Sequence, residues 1–200
     1  MTATRRRAAE DRPLRICVFC SSSDVAVAEL GGLAAQAGQE LAARGHELVY
    51  GGTAVGLMAV LARAVHAAGG RITGIVPELL VERGLADEAC DELVVTADMG
   101  DRKTAMVARS DAFLALPGGL GTLDELLEVV TLKQLGYHSK PIAIHNPDGF
   151  WDPLVALFAR LHARGMSLPP PALALVTPDL AGAFEHLEAG GTAPDATWRA

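Results

Sequence analysis

Apolar positions fall into short continuous runs that alternate with longer stretches of helical period. "LRICVFCSSS" is an apolar run ending in serines, and a helical pattern follows from Val25 to Arg44. "HELVYGG" and "RITGIVP" flank the helical stretch "VGLMAVLARAVHAAGG". "DELVVTA" and "DAFLAL" flank "MGDRKTAMVARS". "TLDELLEVVTLKQLG", "KPIAIHN", "GFWDPLVALFARLHARG", "ALALVT" and "DLAGAFEHLEAG" continue the alternation. Strands of four to eight residues between helices predict βαβ units. Continuous apolar strands predict a sheet covered on both faces. The expected fold is α/β: a Rossmann-like, doubly wound, mostly parallel sheet with helices on both faces. One domain is expected over residues 14–190, with tails at 1–13 and 191–200.

Three strand ends stand out, because each combines small or polar residues with a following helix: "CSSSD", containing Ser22; "YGGTAVG", containing Gly51 and Gly52; and "LPGGLGT", containing Pro117, Gly118, Gly119, Gly121 and Thr122. Glycine lets a ligand approach the backbone, and a helix N-terminus offers unpaired N–H groups and a partial positive charge. Such turns suit phosphate. Neither glycine turn has the dinucleotide spacing G-x-G-x-x-G or the P-loop spacing, so a mononucleotide is the expected ligand.

Composition narrows the function classes. The formal net charge of −7 argues against nucleic acid as a partner. No apolar leader follows the N-terminal arginines, and no run is long enough to span a membrane. Three cysteines fit a reducing compartment, so a cytoplasmic location is expected. Cys17 and Cys20 form C-x-x-C, but residues three apart on a strand face opposite sides, which predicts two small buried hydrophobes. The six histidines lack ligand spacing, and no metal is expected.

Charged residues near the third glycine turn carry the chemistry. Thr122 and Glu125 have capping-box spacing, T-x-x-E, and on spacing alone Glu125 reads as structural. Asp124 also suits the positive end of that helix. Arg102 and Lys103 begin a helix, where the dipole disfavours cations. Their expected task is to meet an anion or an acid across the cleft.

"PGGLGTLDE", "DMGDRK", "YGGTAVGLM" and "LKQLGYHSKPIAIHN" together resemble the Lonely Guy (LOG) family of cytokinin riboside 5'-monophosphate phosphoribohydrolases. The resemblance runs from Ile16 to about Gly165. It implies a homodimer that cleaves a nucleoside 5'-monophosphate to free base and ribose 5-phosphate, without metal or cofactor. It places the catalytic arginine on Arg102 and the catalytic glutamate on Glu125. It places nucleotide contacts on Met99, Lys103, the stretch from Gly118 through Asp124, and Thr131. A catalytic role for Glu125 thereby displaces the purely structural one, while Thr122 is still expected to cap the helix. Thr53, Ala59, Ser21 and Gly84 depart from the family pattern and bear on how base and sugar are held.

Two rival readings stand beside this one. A non-catalytic nucleotide carrier could use the same fold. A lysine decarboxylase would need a Schiff-base lysine for pyridoxal phosphate, and nothing around Lys103, Lys133 or Lys140 suggests such a site.

Overall fold

The structure is a computed structural model that describes residues 12–190. Of the tails expected at 1–13 and 191–200, residues 1–11 and 191–200 lie outside the described residues. Seven strands form, each on a predicted apolar run: β1 Arg15–Phe19, β2 Glu47–Tyr50, β3 Ile72–Pro77, β4 Glu92–Thr96, β5 Ala112–Ala115, β6 Ile142–His145 and β7 Leu175–Thr177. They make one sheet in the order β4-β3-β2-β1-β5-β6-β7, and every neighbouring pair is parallel.

Six helices match the helical stretches: α1 Val27–Ala43, α2 Gly56–Ala67, α4 Met99–Arg109, α5 Leu120–Gln134, α6 Asp152–Ala163 and α8 Leu180–Glu188. Two short ones, α3 Glu78–Glu82 and α7 Pro170–Leu173, have no counterpart in the periodicity.

The strand alternation of period two divides the core. Ile16, Val18, Leu48, Tyr50 and Leu114 pack with α1, α2 and α8 on one face. Cys17, Phe19, Val49 and Phe113 pack with α4, α5, α6 and α7 on the other. Cys17 and Cys20 accordingly fall in different clusters, both buried and unpaired. Burial pushes both thiols well above the ordinary range, so neither is a ready nucleophile.

From β1 the chain moves outward through β2, β3 and β4, then returns to β5 beside β1 and moves outward the other way. The switch point therefore lies between β1 and β5. Open α/β sheets bind ligands there, at the carboxyl ends of the strands. The serine turn follows β1 and the turn "PGGLG" follows β5, so the two face each other across the switch.

Candidate active site

A cavity of about 530 Å³ opens at this edge, within the range of small-molecule sites. Ser21, Ser22 and Ser23 form one wall, and Gly119, Leu120, Gly121 and Thr122 form the facing one. Arg102 and Glu125 line it, as do Met99, Thr53, Val55, Met58, Leu80 and Leu85.

The capping-box expectation fails. Helix α5 starts at Leu120, three residues earlier than a Thr122 cap would set it, with Gly119 as its N-cap and no side-chain cap. Thr122 is therefore inside the first turn. Its hydroxyl is buried and has no hydrogen-bond partner among the described residues. Glu125 does not reach back to its own helix end but turns to Arg102. The amides of the first turn lack intrahelical acceptors, and with no side chain capping them they are free to meet an anion.

The second glycine turn works differently. Helix α2 has its first amides already taken: Gly56 N–H donates to Asp24 Oδ1 at 2.9 Å, and Leu57 N–H to the Ser21 carbonyl at 2.9 Å. That N-terminus is closed to a ligand by the neighbouring turn. Gly51 and Gly52 do not line the cavity. Their lack of a side chain makes room for protein: Arg102 and Met58 press on Gly51, while Gly52, at φ +68°, lies on the β3 backbone at Gly74 and Ile75.

Arg102 is nearly buried, and its guanidinium is largely committed. Nε donates to the Ile75 carbonyl at 3.0 Å, Nη2 to the Gly51 carbonyl at 3.3 Å and Nη1 to Glu125 Oε1 at 2.9 Å. The side chains of Arg102 and Glu125 are 6% and 11% exposed, so solvent screens this pair little. Burial raises the Glu125 carboxyl above the ordinary glutamate range, and the Arg102 guanidinium opposes that rise. The arginine is affordable at the start of α4 because Asp98 caps the helix, accepting from Asp101 N–H at 2.8 Å.

The structure divides the expected site residues. Ser22, Met99, Arg102, Gly119, Gly121, Thr122 and Glu125 line the cavity; Gly51, Gly52, Lys103, Pro117, Gly118, Asp124 and Thr131 do not. Lys103 instead pairs with Asp124 and Glu128 at 3.0 and 2.6 Å, outside the cavity. Gly118 is filled by Thr122, whose side chain would collide with any Cβ there. Thr131 is exposed, about 16 Å along α5 from its start at 1.5 Å per residue. Val55, Met58, Leu80 and Leu85 were not expected at the site, whereas Leu120, within the expected stretch from Gly118 through Asp124, does line it. The motif "YGGTAVGLM" carried a signal for the first two; Leu80 and Leu85 carried none.

No lysine lines the cavity. Lys103 is held by two carboxylates, Lys133 is buried in α5, and Lys140 Nζ donates to the Val107 carbonyl. A Schiff-base site for pyridoxal phosphate does not fit these residues.

Comparison with known proteins places the chain among relatives. The family described as "Possible lysine decarboxylase" matches residues 58–185. A probable cytokinin riboside 5'-monophosphate phosphoribohydrolase of Oryza sativa subsp. japonica is 48% identical over 76% of this chain and 68% of its own. A cytokinin riboside 5'-monophosphate phosphoribohydrolase of Arabidopsis thaliana is 44% identical over 78% and 72%. Among solved structures, the molybdenum cofactor carrier protein of Chlamydomonas reinhardtii has a TM-score of 0.65 at 23% identity, covering 87% of this chain and 95% of its own. The molybdenum cofactor binding protein of Rippkaea orientalis has a TM-score of 0.64 at 25% identity, covering 88% and 95%.

Proposed function

The chain belongs to the Lonely Guy (LOG) family of cytokinin riboside 5'-monophosphate phosphoribohydrolases, and from that premise we propose how its cavity cleaves the N-glycosidic bond of a purine riboside 5'-monophosphate. The products are free base and ribose 5-phosphate. The observation that carries the reading is the buried Arg102–Glu125 pair, set in the cavity beside the uncapped start of α5.

The 5'-phosphate sits between the serine turn and the first turn of α5, where free amides and the helix dipole favour it. That contact anchors the sugar with C1' toward Glu125. Breaking the C1'–N bond builds positive charge on the ribose, as in other oxocarbenium-like transition states. The ionised Glu125 stabilises that charge and takes a proton from the attacking water, whose oxygen bonds to C1'. The bond electrons leave with the base, which ends with the proton taken from the water, so that Glu125 returns to its ionised form. Arg102 acts through Glu125: with three donors fixed on protein acceptors, it holds the carboxylate in place and keeps it ionised.

Binding energy from the remote phosphate supports turnover as well as affinity. The expected result is rapid adenine release from AMP, with efficiency on adenosine lower by roughly a hundredfold, the equivalent of two charge-assisted hydrogen bonds. ATP is expected to be poor too, because the α2 N-terminus that could take a further phosphate is occupied by Asp24. Equal release from adenosine and AMP would remove the phosphate assignment.

A carrier role is the second reading, favoured by the fold shared with the Rippkaea orientalis protein. Glu125→Gln separates the two. A hydrolase loses most turnover and still binds AMP, whereas a carrier shows no base release in either form.

We also read the protein as a cytoplasmic homodimer. Leu120, Leu127, Thr131 and Leu135 form one exposed stripe along α5, and a second copy on that stripe would bring Thr131 out of solvent.

A further inference from the structure

The far end of the cavity is built by a segment with no catalytic group. From the switch point toward β4, the cavity crosses the ends of β1, β2 and β3, about 10 Å at the usual strand spacing. With the phosphate at the β1–β5 end, the base falls toward β3. There the wall is Leu80 on α3 and Leu85 just after it. Residues 83–91 return from α3 to β4 as a strap across the second glycine turn, with only Leu85, Ala86, Asp87 and Cys90 partly covered among its first eight residues.

Few fastenings hold the strap before Asp91, whose Oδ2 accepts Ile72 N–H at 2.8 Å. Ala54 N–H donates to the Leu85 carbonyl at 3.0 Å, and Asp87 N–H to the Gly52 carbonyl at 2.9 Å. Thr53 and Ala86 form an isolated antiparallel bridge between them. The one side chain of the sheet that reaches the strap by a short hydrogen bond is Tyr50, whose hydroxyl donates to Asp87 Oδ2 at 2.7 Å and lies 3.4 Å from Cys90 Sγ. Tyr50 is fully buried at the end of β2. Asp87 also orders the strap itself, accepting Ala89 N–H on Oδ1 at 3.0 Å. The glycines serve the same junction: Gly52 supplies a carbonyl to the strap, and Gly74 makes room for Cys90.

We propose that Tyr50 and Asp87 are positioning residues for base selectivity, pinning the strap so that Leu85 fixes the depth of the base end of the cavity. Neither lines the cavity nor hydrogen-bonds to Glu125. Their effect reaches the substrate only through Leu85 and the Thr53–Ala54 backbone. The inference rests on the nucleotide reading above. The pocket wall offers the base leucine side chains rather than an amide or carboxylate, so selection at this end is by depth and shape.

The test compares wild type, Tyr50→Phe, Asp87→Ala and Asp87→Asn on AMP and on N6-benzyl-AMP. Tyr50→Phe keeps the buried ring and deletes only the donor. It is expected to raise KM for AMP roughly tenfold, the low end of the worth of one hydrogen bond to a charged acceptor, with kcat within about twofold. KM for the larger N6-benzyl-AMP is expected to move by less than half as much. Asp87→Ala should raise KM for AMP at least as far, since it also releases the Ala89 N–H, and Asp87→Asn, which keeps one acceptor oxygen, should recover part of the loss. The double variant Tyr50→Phe/Asp87→Ala should be no worse than Asp87→Ala alone, since the two residues share one bond. Unchanged KM ratios, or kcat falling equally on both substrates, would overturn the proposal. Hydrogen exchange at the Ala54 and Asp87 amides reads the strap without turnover: about tenfold faster exchange in Tyr50→Phe is expected, and unchanged exchange overturns the clamp. If wild type releases no adenine from AMP, the nucleotide hydrolase reading fails, and exchange alone decides the clamp.

Discussion

Thr122 holds a hydroxyl that no described protein atom satisfies, in a side chain only 2% exposed. A buried unpaired hydroxyl costs stability, so its retention points to a partner supplied by the substrate. Thr122→Val is expected to leave the melting temperature unchanged or higher while weakening AMP binding roughly ten- to a hundredfold, the worth of one hydrogen bond to a charged group. Calorimetry on both forms checks it; equal affinity would return Thr122 to the core. Glu125 gives a pH prediction with a definite sign. Its folded pKa is raised, so between the ordinary value and the folded one the folded state holds a proton that the unfolded chain has lost. Folding stability from this group therefore falls as pH rises through that window. Activity runs the opposite way, because only the ionised form can act. The acid limb of kcat is expected above the ordinary glutamate range, and Arg102→Ala should move it higher still, since Arg102 is the main group holding it down. At this scale the sequence was half readable. The T-x-x-E spacing was real but described a local bond, and a nearly buried guanidinium from another helix outcompetes that bond for the carboxylate. A partner 23 positions away leaves no local mark.

The start of α5 separates glycines with an internal reason from glycines without one. A side chain at Gly118 would collide with Thr122, whereas Gly119 and Gly121 face nothing within 4 Å. Gly118→Ala is thus expected to destabilise by about 1–3 kcal/mol through overpacking. Gly121→Ala, inside the helix, should stabilise by up to about 1 kcal/mol, while both Gly119→Ala and Gly121→Ala should lower base-release efficiency at least tenfold. Thermal melts and AMP kinetics on the three variants decide this; full activity in Gly121→Ala would mean that no ligand packs there. The five inner strands were legible because strands buried on both faces read as unbroken apolar runs; the edge strands β4 and β7 are only partly covered but carry apolar runs as well. Helices α3 and α7 were not, since five and four residues are too few to display a helical period. The two glycine turns looked alike in sequence, and only the fold shows that Asp24 fills the end of α2 while the end of α5 stays open.

At the scale of the molecule, doubly wound order brings the β1 and β5 turns together and leaves α5 with an apolar outer stripe. Under the dimer reading, sedimentation at micromolar concentration is expected to give twice the chain mass of 20.8 kDa, and Leu127→Asp with Leu135→Asp should give monomers. A fully active wild-type monomer would count against it. The two ends of the cavity also differ in kind, with charge-binding amides at the switch point and leucines under the strap. Once the glycosidic bond is cut, that difference sets the sequence of departure. The base keeps only apolar contacts, while ribose 5-phosphate keeps the whole anchor of its parent. The base is expected to leave first and the sugar phosphate last. Added ribose 5-phosphate should then compete with AMP, while added adenine should inhibit noncompetitively.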